Sequence, residues 1–559
     1  MHPPFRQAAG LAAMLLCAAY AYAAYPAWQP DTYYAAGSVV SYNGRDYKAI
    51  VNQTDYSSTG WNPTVSSLWQ DLGASSGATA TPAPTPTPAP TSISTGVQAH
   101  YLGATFGYNY TNNNDMIGPD TGTQNTPLYN PDPNNPDLTW DTWVREAGQA
   151  GLDFLAPNAR GASPDAAWSP ATMAPVLTAL NNSGFASSIK IALFDDNASS
   201  WQGQWNRAGH TGPFDIGNAA NWTYIYDTNY KIFFQTIPDA NRFKINGRPV
   251  IMIWTGNSAT VGNEQGNYSR AMTYVRQKCQ ADFGFDPYII VNEDALKNDS
   301  TLAAVVDGAH SWSNGGTWSL TTFNGTKVGV AFPGLYASTS SGFRDPNHGQ
   351  TLKTALENTV KAGALLTLIE GFTDWEEDAA IFRVRNLDTN GNPLGYSQTL
   401  YDYPNQRLDI VRMYSQNPFP ASLKFEAAGA DQFGGAAGGN GKVNFYRNGN
   451  IAIEPSSDTG GGFNVGWMQR GEWIEWESVP FNGTPHFMVR IATPNTGMTA
   501  HLVIDGVAQA RKTLPNTGGW QTWATFDLGT YGTYSNSYHT VRLVFDSGNV
   551  NVNWWEVQQ

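Results

Sequence analysis

The chain has 559 residues, of which 41% are hydrophobic, 13% aromatic and 14% charged. This length is too great for a single hydrophobic core, and the apolar content is too high for a disordered chain. The net charge of -14, from 31 basic and 45 acidic residues, argues against nucleic acids and anionic membranes as partners. The 20 Trp and 27 Tyr residues suit a neutral ligand that is stacked on aromatic rings and hydrogen-bonded.

The first 23 residues have the features of a secretory signal peptide. Arg6 supplies the positive start, residues 8–20 are apolar, and Ala21-Tyr22-Ala23 fits the small-x-small cleavage pattern. The apolar stretch is too short to span a bilayer. These features predict a secreted, extracellular protein that begins at Ala24 after cleavage.

Residues 24–73 contain short strand-like runs broken by Gly and Asn, which predicts a small all-β module. Two of these runs flank Asn43-Gly44 and form a predicted hairpin. Trp61 lies in a turn-like segment where a large ring is hard to bury, and an exposed ring can stack on a sugar face. The alternative is that Trp61 is only a core residue of the module.

A pattern of aromatic, Gly and Asn positions runs through this module. It consists of Ala27-Trp28, Tyr33, Gly37, Val40, Tyr42-Asn43-Gly44, Tyr47, Ala49, Gly60-Trp61, Pro63 and Leu68-Trp69. In these residues the module resembles the family 5/12 chitin-type carbohydrate-binding modules. The resemblance implies chitin binding, with Trp61 as the main platform and Tyr56 as a weaker candidate.

Residues 74–95 form a low-complexity linker in which Pro alternates with Thr or Ala. Such a segment cannot pack a core and acts as an extended, semi-rigid spacer. Proteins mostly need this spacer where one module grips a solid and another works on it. The linker therefore already suggests a polysaccharide-active protein.

Residues 96–418 change to alternating apolar runs and helical stretches. The predicted strands are 97–102, 152–156, 189–194, 250–254, 288–291, 305–310, 328–332 and 365–369. The predicted helices are 140–150, 170–181, 268–281 and 351–362. Short strands with helical crossovers predict a (β/α)8 barrel. A doubly wound open sheet is the alternative, although no Gly-rich phosphate loop opens a helix here.

Polar and aromatic residues follow several of these strands, and in a barrel the chemistry gathers where strands end. The candidates for contact with substrate are Asp195, Asp196, Trp254, Asn292, Glu293, His310, Trp312 and Trp375. A solvated rim is expected for roughly half of the polar residues at such positions. For His310, a structural role is as consistent with the sequence as substrate contact.

The segment after the eighth predicted strand holds the candidate catalytic residues. Glycosidic cleavage needs one carboxyl group that protonates the leaving oxygen and a second group that acts as base or nucleophile. Asp374 and Glu377 would share one side of a helical turn, and Glu370 would sit at the strand tip. Two carboxylates held close raise the pKa of one of them. Glu376 and Asp378 are better explained as acidic residues that stabilise a helix N-terminus.

Three stretches of this central region carry a further resemblance. Residues 190–196, 242–254 and 370–377 look like a bacterial family of unknown function that is usually found beside carbohydrate-binding modules. The resemblance covers nearly the whole central domain. It implies a carbohydrate-related role without transferring a particular activity.

A short motif in the last stretch has a more distant similarity. The sequence Thr373-Asp374-Trp375-x-Glu377 is similar to the Asn-(Asp/Glu)-aromatic-x-Glu signature of glycoside hydrolase families 71 and 99. Those are barrel enzymes that cut α-1,3-glucan and α-mannosides. The similarity implies that Asp374 and Glu377 are the catalytic pair, with Thr373 in place of Asn. The two families differ in stereochemistry, so the anomeric outcome stays open.

Other catalytic signatures are absent from the sequence. These are the Asp-x-x-Asp-x-Asp-x-Glu of family 18 chitinases, the His-Glu-x-x-His of zinc proteases and the Gly-x-Ser-x-Gly of serine esterases. A copper monooxygenase would need a mature N-terminal His where Ala24 is predicted. We therefore expect no cofactor for catalysis.

Residues 422–559 are Gly-rich and strand-like, which predicts an antiparallel β-sandwich. The residues that carry a resemblance are 425–427, 465–467, 471–476, 490–492, 517–520, 539–543 and 551–555. They are similar to the jelly-roll carbohydrate-binding modules of families 6 and 35. The resemblance implies a cleft in which Trp520 is paired with Asn551 or Asn553. It also implies a structural calcium ion with Glu426 as a ligand, although Ala428 stands where a second Glu is common.

The sequence thus predicts a secreted, monomeric, three-module glycoside hydrolase. Its substrate would be an insoluble wall polysaccharide, either chitin or a chitin-associated fungal-wall glucan or mannan. Glu377 is the predicted general acid and Asp374 its partner, with Glu370 in support. The rival hypothesis is a non-catalytic adhesin that displays two binding modules. A carbohydrate esterase is a third, for which no Ser-His pair stands out.

Overall fold

The computed structural model describes residues 28–29, 32–34, 36–55, 61–74, 100–106, 126–128, 136–157, 170–255, 260–312, 316–335, 344–374, 379–385, 401–434, 452–459 and 462–559. The chain forms two compact units, residues 1–91 and residues 92–559. The predicted signal peptide at 1–23 and the predicted linker from residue 75 onward lie outside the described residues. Across the described ranges, no helix is long and apolar enough to cross a membrane.

The first unit is a small all-β module, as predicted. Its strands are β1 (Thr32–Tyr34), β2 (Val39–Tyr42), β3 (Arg45–Ala49), β4 (Gln53–Asp55) and β5 (Trp69–Ala74). β2, β3 and β5 form an antiparallel sheet, and β1 pairs with β4. Asn43 and Gly44 have φ of 49° and 75°, as a type I′ hairpin turn between β2 and β3 requires. The buried core consists of Tyr34, Val40, Tyr47, Ala49 and Trp69.

The second unit begins with a region of parallel strands. Its strands are β6 (Tyr101–Phe106), β7 (Thr126–Pro127), β8 (Phe154–Pro157), β9 (Lys190–Ile191), β10 (Leu193–Asp196), β11 (Phe214–Asp215), β12 (Lys244–Ile245), β13 (Arg248–Trp254), β14 (Val261–Gly262), β15 (Tyr288–Asn292), β16 (Gly308–His310), β17 (Trp318–Phe323), β18 (Thr326–Ala331), β19 (Leu366–Ile369) and β20 (Val384–Arg385). One sheet has the order β17-β18-β19-β6-β8-β9, and another has the order β10-β13-β15-β16. Neighbours in both sheets are parallel except β17, which is antiparallel to β18. β12 adds to β13 in the antiparallel direction.

All eight predicted strands are present in this region, with some shifts of their ends. β9 and β10 are separated only by Ala192, whose N–H donates to Leu155 O at 3.0 Å, so residues 190–196 belong to both sheets. β6 begins at Tyr101, four residues later than predicted. β16 begins at Gly308, three residues later than predicted, because a 3₁₀ turn at Leu302–Ala304 and the bend after it precede the strand.

Side chains along the parallel strands alternate between two cores, as the two-residue period of a strand requires. One core, here called the inner cluster, consists of Phe154, Ala156, Ala192, Phe194, Phe243, Ile245, Val250, Met252, Tyr288, Ile290, Val328, Leu366 and Leu368. The intervening residues, such as Leu193 and Ile251, join a larger core that includes helix residues. Both sheets contribute to the inner cluster.

The helices of this unit follow or connect the strands. They are α1 (Pro136–Gln149), α2 (Pro170–Ser183), α3 (Gly203–Arg207), α4 (Trp222–Ile225), α5 (Lys231–Thr236), α6 (Tyr268–Phe283), α7 (Glu293–Asn298), α8 (Gln350–Thr359) and α9 (Gln406–Tyr414). The four predicted helices correspond to α1, α2, α6 and α8. The region of α3 to α5 was not predicted, because π-helical segments at Ala198–Gln202 and Tyr226–Tyr230 interrupt the regular helical period.

The chain ends in the predicted β-sandwich. Its strands are β21 (Ser422–Glu426), β22 (Gln432–Gly434), β23 (Ala452–Pro455), β24 (Phe463–Gly466), β25 (Trp473–Gly483), β26 (His486–Ala492), β27 (Thr499–Ile504), β28 (Val507–Ala508), β29 (Lys512–Thr513), β30 (Ala524–Thr530), β31 (Tyr534–Phe545) and β32 (Asn551–Gln558). One antiparallel sheet has the order β23-β24-β32-β26-β30 with β21 on β32, and the other has the order β22-β25-β31-β27-β28 with β29 on β27. Their buried apolar core includes Trp476, Phe481, Phe487 and Trp555.

A buried ionic cluster joins the sandwich to the parallel-strand region. The Arg383 guanidinium contacts the Glu146 carboxylate and donates from Nη1 to Glu426 Oε2 at 3.1 Å. Arg145 contacts the other oxygen of Glu426, and the Thr142 hydroxyl donates to it at 3.2 Å. The exposed fraction of the side chain is 2% for Arg383, 9% for Glu146 and 7% for Glu426. These charges are therefore stabilised by one another and hardly by water.

The position of Glu426 corrects the prediction that it holds a calcium ion. Both of its carboxylate oxygens contact guanidinium groups, so a metal ion there would meet positive charge. Gly429 packs against the same cluster, because a Cβ at this position would lie 2.3 Å from Arg383 Nη1. In the described parts of the chain, no group of three or more His, Cys, Asp or Glu side chains is arranged to hold a metal ion.

Replacement of Arg383 by Met should lower the free energy of unfolding by about 3–5 kcal/mol, because Glu146 then loses its buried cationic partner. Guanidinium chloride unfolding followed by tryptophan fluorescence measures the change. The control is Lys361→Met at the exposed Lys361–Glu357 pair, which should cost less than about 1 kcal/mol. Equal losses in the two variants would contradict a stabilising role for the buried cluster.

Candidate functional site

Aromatic side chains meet at the carboxyl ends of the parallel strands. The ring centroid of Trp312, just after β16, is 5.5 Å from that of Phe194 and 6.1 Å from that of Trp254. It is also 6.0 Å from His310 and 5.7 Å from Phe332. Three of these neighbours lie on β10, β13 and β16, and Phe332 follows β18 of the other sheet. Because Trp254 and Trp312 are partly exposed, this aromatic cluster is suited to stacking on a sugar ring.

His310 is fully buried beside Trp312. Its Nε2 lies 2.9 Å from Ile253 O and therefore carries the proton, because a carbonyl oxygen can only accept. Its Nδ1 is enclosed and has no hydrogen-bond partner among the described residues. Burial lowers the pKa of His310 to about 4, against the opposing effects of Ile253 and Glu293. The ring is thus neutral near pH 7, and Nδ1 is an acceptor for a hydroxyl group.

The segment after β19 is folded tightly against β6. The Gly371 N–H donates to Thr105 Oγ1 at 2.7 Å, and the Phe372 N–H donates to Thr105 O at 2.7 Å. Gly371 has a φ of 78°, and a Cβ there would lie 2.8 Å from Ala379 O. Only glycine fits this conformation and this close approach. The Ile381 N–H then donates to Gly371 O at 2.9 Å and closes the segment.

Asp374 lies within this closed segment, and Glu370 lies directly before it. The Ala379 N–H donates to Asp374 O at 2.9 Å. Asp374 is 8% exposed and Glu370 is partly exposed. The structure thus places two of the three predicted catalytic carboxylates at the end of β19. The third, Glu377, and the predicted substrate contact Trp375 lie outside the described residues.

The carboxylates and the aromatic cluster are linked through the end of β18. The Glu370 N–H donates to Ala331 O at 2.8 Å. Phe332, the residue after Ala331, contacts Trp312 through its ring. The candidate catalytic segment and the aromatic cluster are therefore held against the same strand end.

Asp195 does not face this site, contrary to the prediction. It is fully buried, and its carboxylate accepts hydrogen bonds from Ser200 Oγ, Trp201 Nε1 and Tyr230 OH. Burial raises the pKa of Asp195 to about 7, although these three donors favour the charged form. Asp195 therefore anchors the helical segment that follows β10.

Asp196 and Asn292 serve the backbone of the helices that follow their strands. Asp196 Oδ1 accepts a hydrogen bond from the Ala198 N–H at 3.1 Å. Asn292 Oδ1 accepts one from the Asp294 N–H at 2.9 Å. Asn292 is the N-cap residue of α7, whereas Asp196 lies one residue before Asn197, the N-cap of the π-helical segment. Glu293 pairs with Lys297 at 3.4 Å on the surface of α7. Each of these three residues thus has a local structural role, and its contact with substrate stays a prediction.

Two residues at the site were not identified from the sequence. Thr105 holds Gly371, but the first predicted strand ended at residue 102. A polar residue inside the apolar run 101–106 was the available signal. Arg344 lies over the Phe332 ring, 5.2 Å from its centroid, and brings a cation to the aromatic cluster. No sequence pattern points to Arg344.

The sandwich holds a second polar site around Trp520. Trp520 is 45% exposed, and its carbonyl oxygen accepts from Asn551 Nδ2 at 2.8 Å. Asn551 also donates to Glu454 Oε1 at 3.1 Å, and Gln521 Nε2 donates to the same oxygen at 3.0 Å. The structure thus brings the predicted partners Trp520 and Asn551 together with Glu454, which the sequence did not identify. Asn553 Nδ2 donates instead to Asp458 Oδ2, at 2.9 Å.

Trp61 presents an exposed ring on the N-terminal module. It is 40% exposed. The turn after it is held by Asn62 Oδ1, which accepts hydrogen bonds from the N–H and the hydroxyl of Thr64 at 3.0 and 2.7 Å. Tyr56, the weaker predicted platform, lies outside the described residues.

These features define a multidomain carbohydrate-binding protein. Residues 27–70 match the family 5/12 carbohydrate-binding modules, and residues 447–557 match the family 35 carbohydrate-binding modules. Residues 98–432, more than half of the chain, match a domain of unknown function, DUF5010. The chain therefore belongs to the DUF5010 family.

Curated relatives match this chain over short stretches. The clotting factor G alpha subunit of Tachypleus tridentatus is 25% identical over 117 residues, which are 20% of this chain and 17% of that protein. The beta-agarase AgaA of Microbulbifer thermotolerans is 31% identical over 119 residues, which are 20% of this chain and 27% of that enzyme. The chain thus spans less than a third of the length of either relative.

Solved structures of family 6 carbohydrate-binding modules are also similar to part of the chain. The C-terminal module of LamC, a marine laminarinase from Zobellia galactanivorans, is 26% identical, and the match covers 25% of this chain and 99% of that one with a TM-score of 0.21. A β-1,3-glucan-binding module from Bacillus halodurans is 27% identical, and the match covers 24% of this chain and 96% of that one with a TM-score of 0.20.

Replacement of His310 by Gln should change how stability depends on pH. The pKa of His310 is about 4 in the folded protein and about 6.5 in an unfolded chain. Because the unfolded state binds more protons between these values, His310 costs stability as the pH falls from 6.5 to 4, by at most about 3 kcal/mol. Urea unfolding at pH 7 and pH 4.5 should show a smaller loss in the variant. The same loss in both proteins would contradict a buried neutral imidazole.

Replacement of Trp61 or Trp520 by Ala should weaken polysaccharide binding by the altered module about tenfold or more, because a stacking ring is lost. Chitin pull-down tests Trp61→Ala, and affinity electrophoresis with soluble glucans tests Trp520→Ala. Ile50→Ala and Val507→Ala remove exposed apolar side chains, 45% and 63% exposed, from the same two modules. These controls should bind as the wild type does. Unchanged binding in the tryptophan variants would show that neither ring stacks on the polysaccharide.

Proposed function

We propose that the protein is a secreted glycoside hydrolase that acts on an insoluble cell-wall polysaccharide. The observation that carries this proposal is one shared strand end, against which the Trp312 aromatic cluster, the buried His310 and the backbone of residues 370–374 are held. Aromatic rings that stack a sugar, with carboxyl groups beside them, are what glycosidic cleavage requires. The two flanking carbohydrate-binding modules support a polysaccharide as the substrate.

We further propose that the two parallel sheets close into one (β/α)8 barrel. Residues 190–196 run through both sheets, and the inner cluster takes side chains from both. Trp312 contacts residues from both sheets at the same end. In a barrel these contacts follow directly, because the carboxyl ends of all strands surround one mouth. A barrel is also the fold that we predict from the alternating strands and helices of residues 96–418.

In this proposal Glu377 is the general acid and Asp374 its partner. The hydrogen bond between Asp374 O and the Ala379 N–H brings both ends of the intervening stretch together. Asp374 and Glu377 are three positions apart in the sequence, a spacing at which two side chains can share one side of a helical turn.

The remaining residues would bind and orient the sugar. Trp254 and Trp312 would stack on the ring that is cut, and the buried His310 would support Trp312 from beneath. Glu370, directly after β19, would support the catalytic pair. No cofactor takes part in this chemistry.

The substrate we propose is chitin or a chitin-associated fungal-wall glucan or mannan. The N-terminal match to family 5/12 modules supports attachment to such a wall. The name of the beta-agarase relative supports only the general class of polysaccharide-related proteins. We propose that this protein works outside the cell as a monomer and binds neither nucleic acid nor membrane.

Asp374→Asn and Glu377→Gln should each lower sugar release about a hundredfold or more, because each removes one group of the acid–base pair. Chromatography of products from chitin, α- and β-glucans, mannan and xylan measures the release. Glu357→Gln alters an exposed carboxylate on α8 and should keep full release. Sugar release that survives in both site variants would exclude this pair as the catalytic residues.

A non-catalytic adhesin is the second candidate function. It is favoured by the exposed tryptophans on both end modules, which suffice for multivalent binding. It predicts firm attachment to the wall and no sugar release by the wild type on any of these polysaccharides. Retained attachment in Glu377→Gln together with lost release would decide against it.

A further inference from the structure

A polar cleft lies on the connections that follow β10 and β13. Its lining consists of Asp215, Gly217, Asn218, Asn263, Glu264, Gln265 and Asn267. The short strands β11 and β14 pair in parallel beside it and join the two connections. The cleft has a volume of about 540 Å³, and its described lining contains neither an aromatic nor a basic residue.

Three of the lining side chains converge on Gly217. A Cβ at this glycine would lie 3.1 Å from Asp215 Oδ1, 3.1 Å from Asn263 Cβ and 3.3 Å from Asn267 Nδ2. Asp215 Oδ1 also accepts from the Gly217 N–H at 3.0 Å and from Asn263 Nδ2 at 2.8 Å. The glycine thus leaves open a small space that polar side chains surround.

Glu264 supplies an independent sign that the cleft takes a ligand. Its side chain is buried, with 9% exposure, and its Oε1 accepts from Asn298 Nδ2 at 3.0 Å. Its Oε2 is enclosed and has no hydrogen-bond partner within the described ranges. A buried carboxylate oxygen that neither a donor nor a cation satisfies is costly. A ligand that meets this oxygen would remove the cost.

The charges around Glu264 are negative. Burial and the carboxylates of Asp299 and Asp294 raise the pKa of Glu264 to about 7, against the opposing effect of Asn298. Burial would also raise the pKa of Asp299, but hydrogen bonds from Thr301 and backbone N–H groups hold it below its usual value. Asp299 therefore stays ionised beside Glu264.

The basic side chains near the cleft are engaged by other groups. Arg270 donates to Asn267 Oδ1 at 3.0 Å and lies over the Trp222 ring. Lys297 pairs with Asp294 at 2.8 Å. Neither of them contacts Glu264 or Asp215 by an ion pair. Among the residues that the structure describes, no basic side chain forms an ion pair with the two carboxylates of the cleft.

We propose that this cleft binds a divalent cation, Ca²⁺, through the carboxylates of Asp215 and Glu264. Ca²⁺ accepts about six to eight oxygen ligands, which carboxylates, Asn and Gln side chains and water supply. A saccharide would lack an aromatic platform here, and an anion would be repelled. Mg²⁺ fits less well, because it demands a near-ideal octahedral arrangement. The ion would hold the β11 and β14 connections together beside α6.

This site goes beyond the proposed hydrolase function and does not depend on it. Isothermal titration of the EDTA-treated full-length protein with Ca²⁺ should show binding at pH 8. Ca²⁺ should also raise the melting temperature.

Two near-isosteric variants test the ligands. Glu264→Gln and Asp215→Asn should each weaken Ca²⁺ binding about tenfold or more, because each removes one anionic ligand. Glu357→Gln, an exposed carboxylate on α8, is the matched control and should bind as the wild type does. Circular dichroism establishes that each variant is folded.

Several results would overturn this proposal. One is the absence of Ca²⁺ binding by the wild type at pH 8, and another is equal affinity in both site variants and the control. A third is loss of saccharide binding in Glu264→Gln with unchanged Ca²⁺ binding, which would make the cleft a sugar site. Sugar release by a protein that binds no Ca²⁺ would leave the hydrolase proposal intact while the cation proposal fails.

Discussion

The structure of the large unit depends on one buried guanidinium. Arg383 lies between Glu146 on α1 and Glu426 at the end of β21, and it follows directly on the closed segment that contains Asp374. A buried charge is tolerated only where opposite charges and hydrogen bonds surround it. The helix, the segment after β19 and the sandwich must therefore assemble together. This requirement fixes the candidate catalytic segment from its carboxyl side, while Thr105 fixes it from its amino side.

The aromatic cluster supplies the complementary constraint. Trp312 touches rings from both sheets, so its position is set by packing and not by a loop of its own. A ring held in this way loses little freedom when a sugar stacks on it, which favours binding. His310 is held equally firmly, since its Nε2 bonds to the backbone of a neighbouring strand. Rigid elements thus position every described group at this strand end.

The eight strands of the central region were predictable because buried parallel strands form short continuous apolar runs. The roles of the residues that follow them were not. In Leu193–Asp196 two aspartates are adjacent, and the alternation of the strand turns them to opposite faces. Asp195 bonds to Trp201 and Tyr230, whereas Asp196 bonds to Ser199. The sequence does not reveal which is which. Nor does it reveal Arg383, whose partners Glu146 and Glu426 are 237 and 43 residues away. The π-helical segments after β10 and α4 broke the period on which helix prediction rests.

The family match ends inside the sandwich, at residue 432, and not before it. It therefore includes β21 and the turn at Gly429, which contact Arg383 from the sandwich side. The first strand of this sandwich, β21, thus lies within the residues that match the DUF5010 family. A different sandwich in this place would need both a carboxylate that pairs with Arg383 and a glycine that leaves room for its guanidinium.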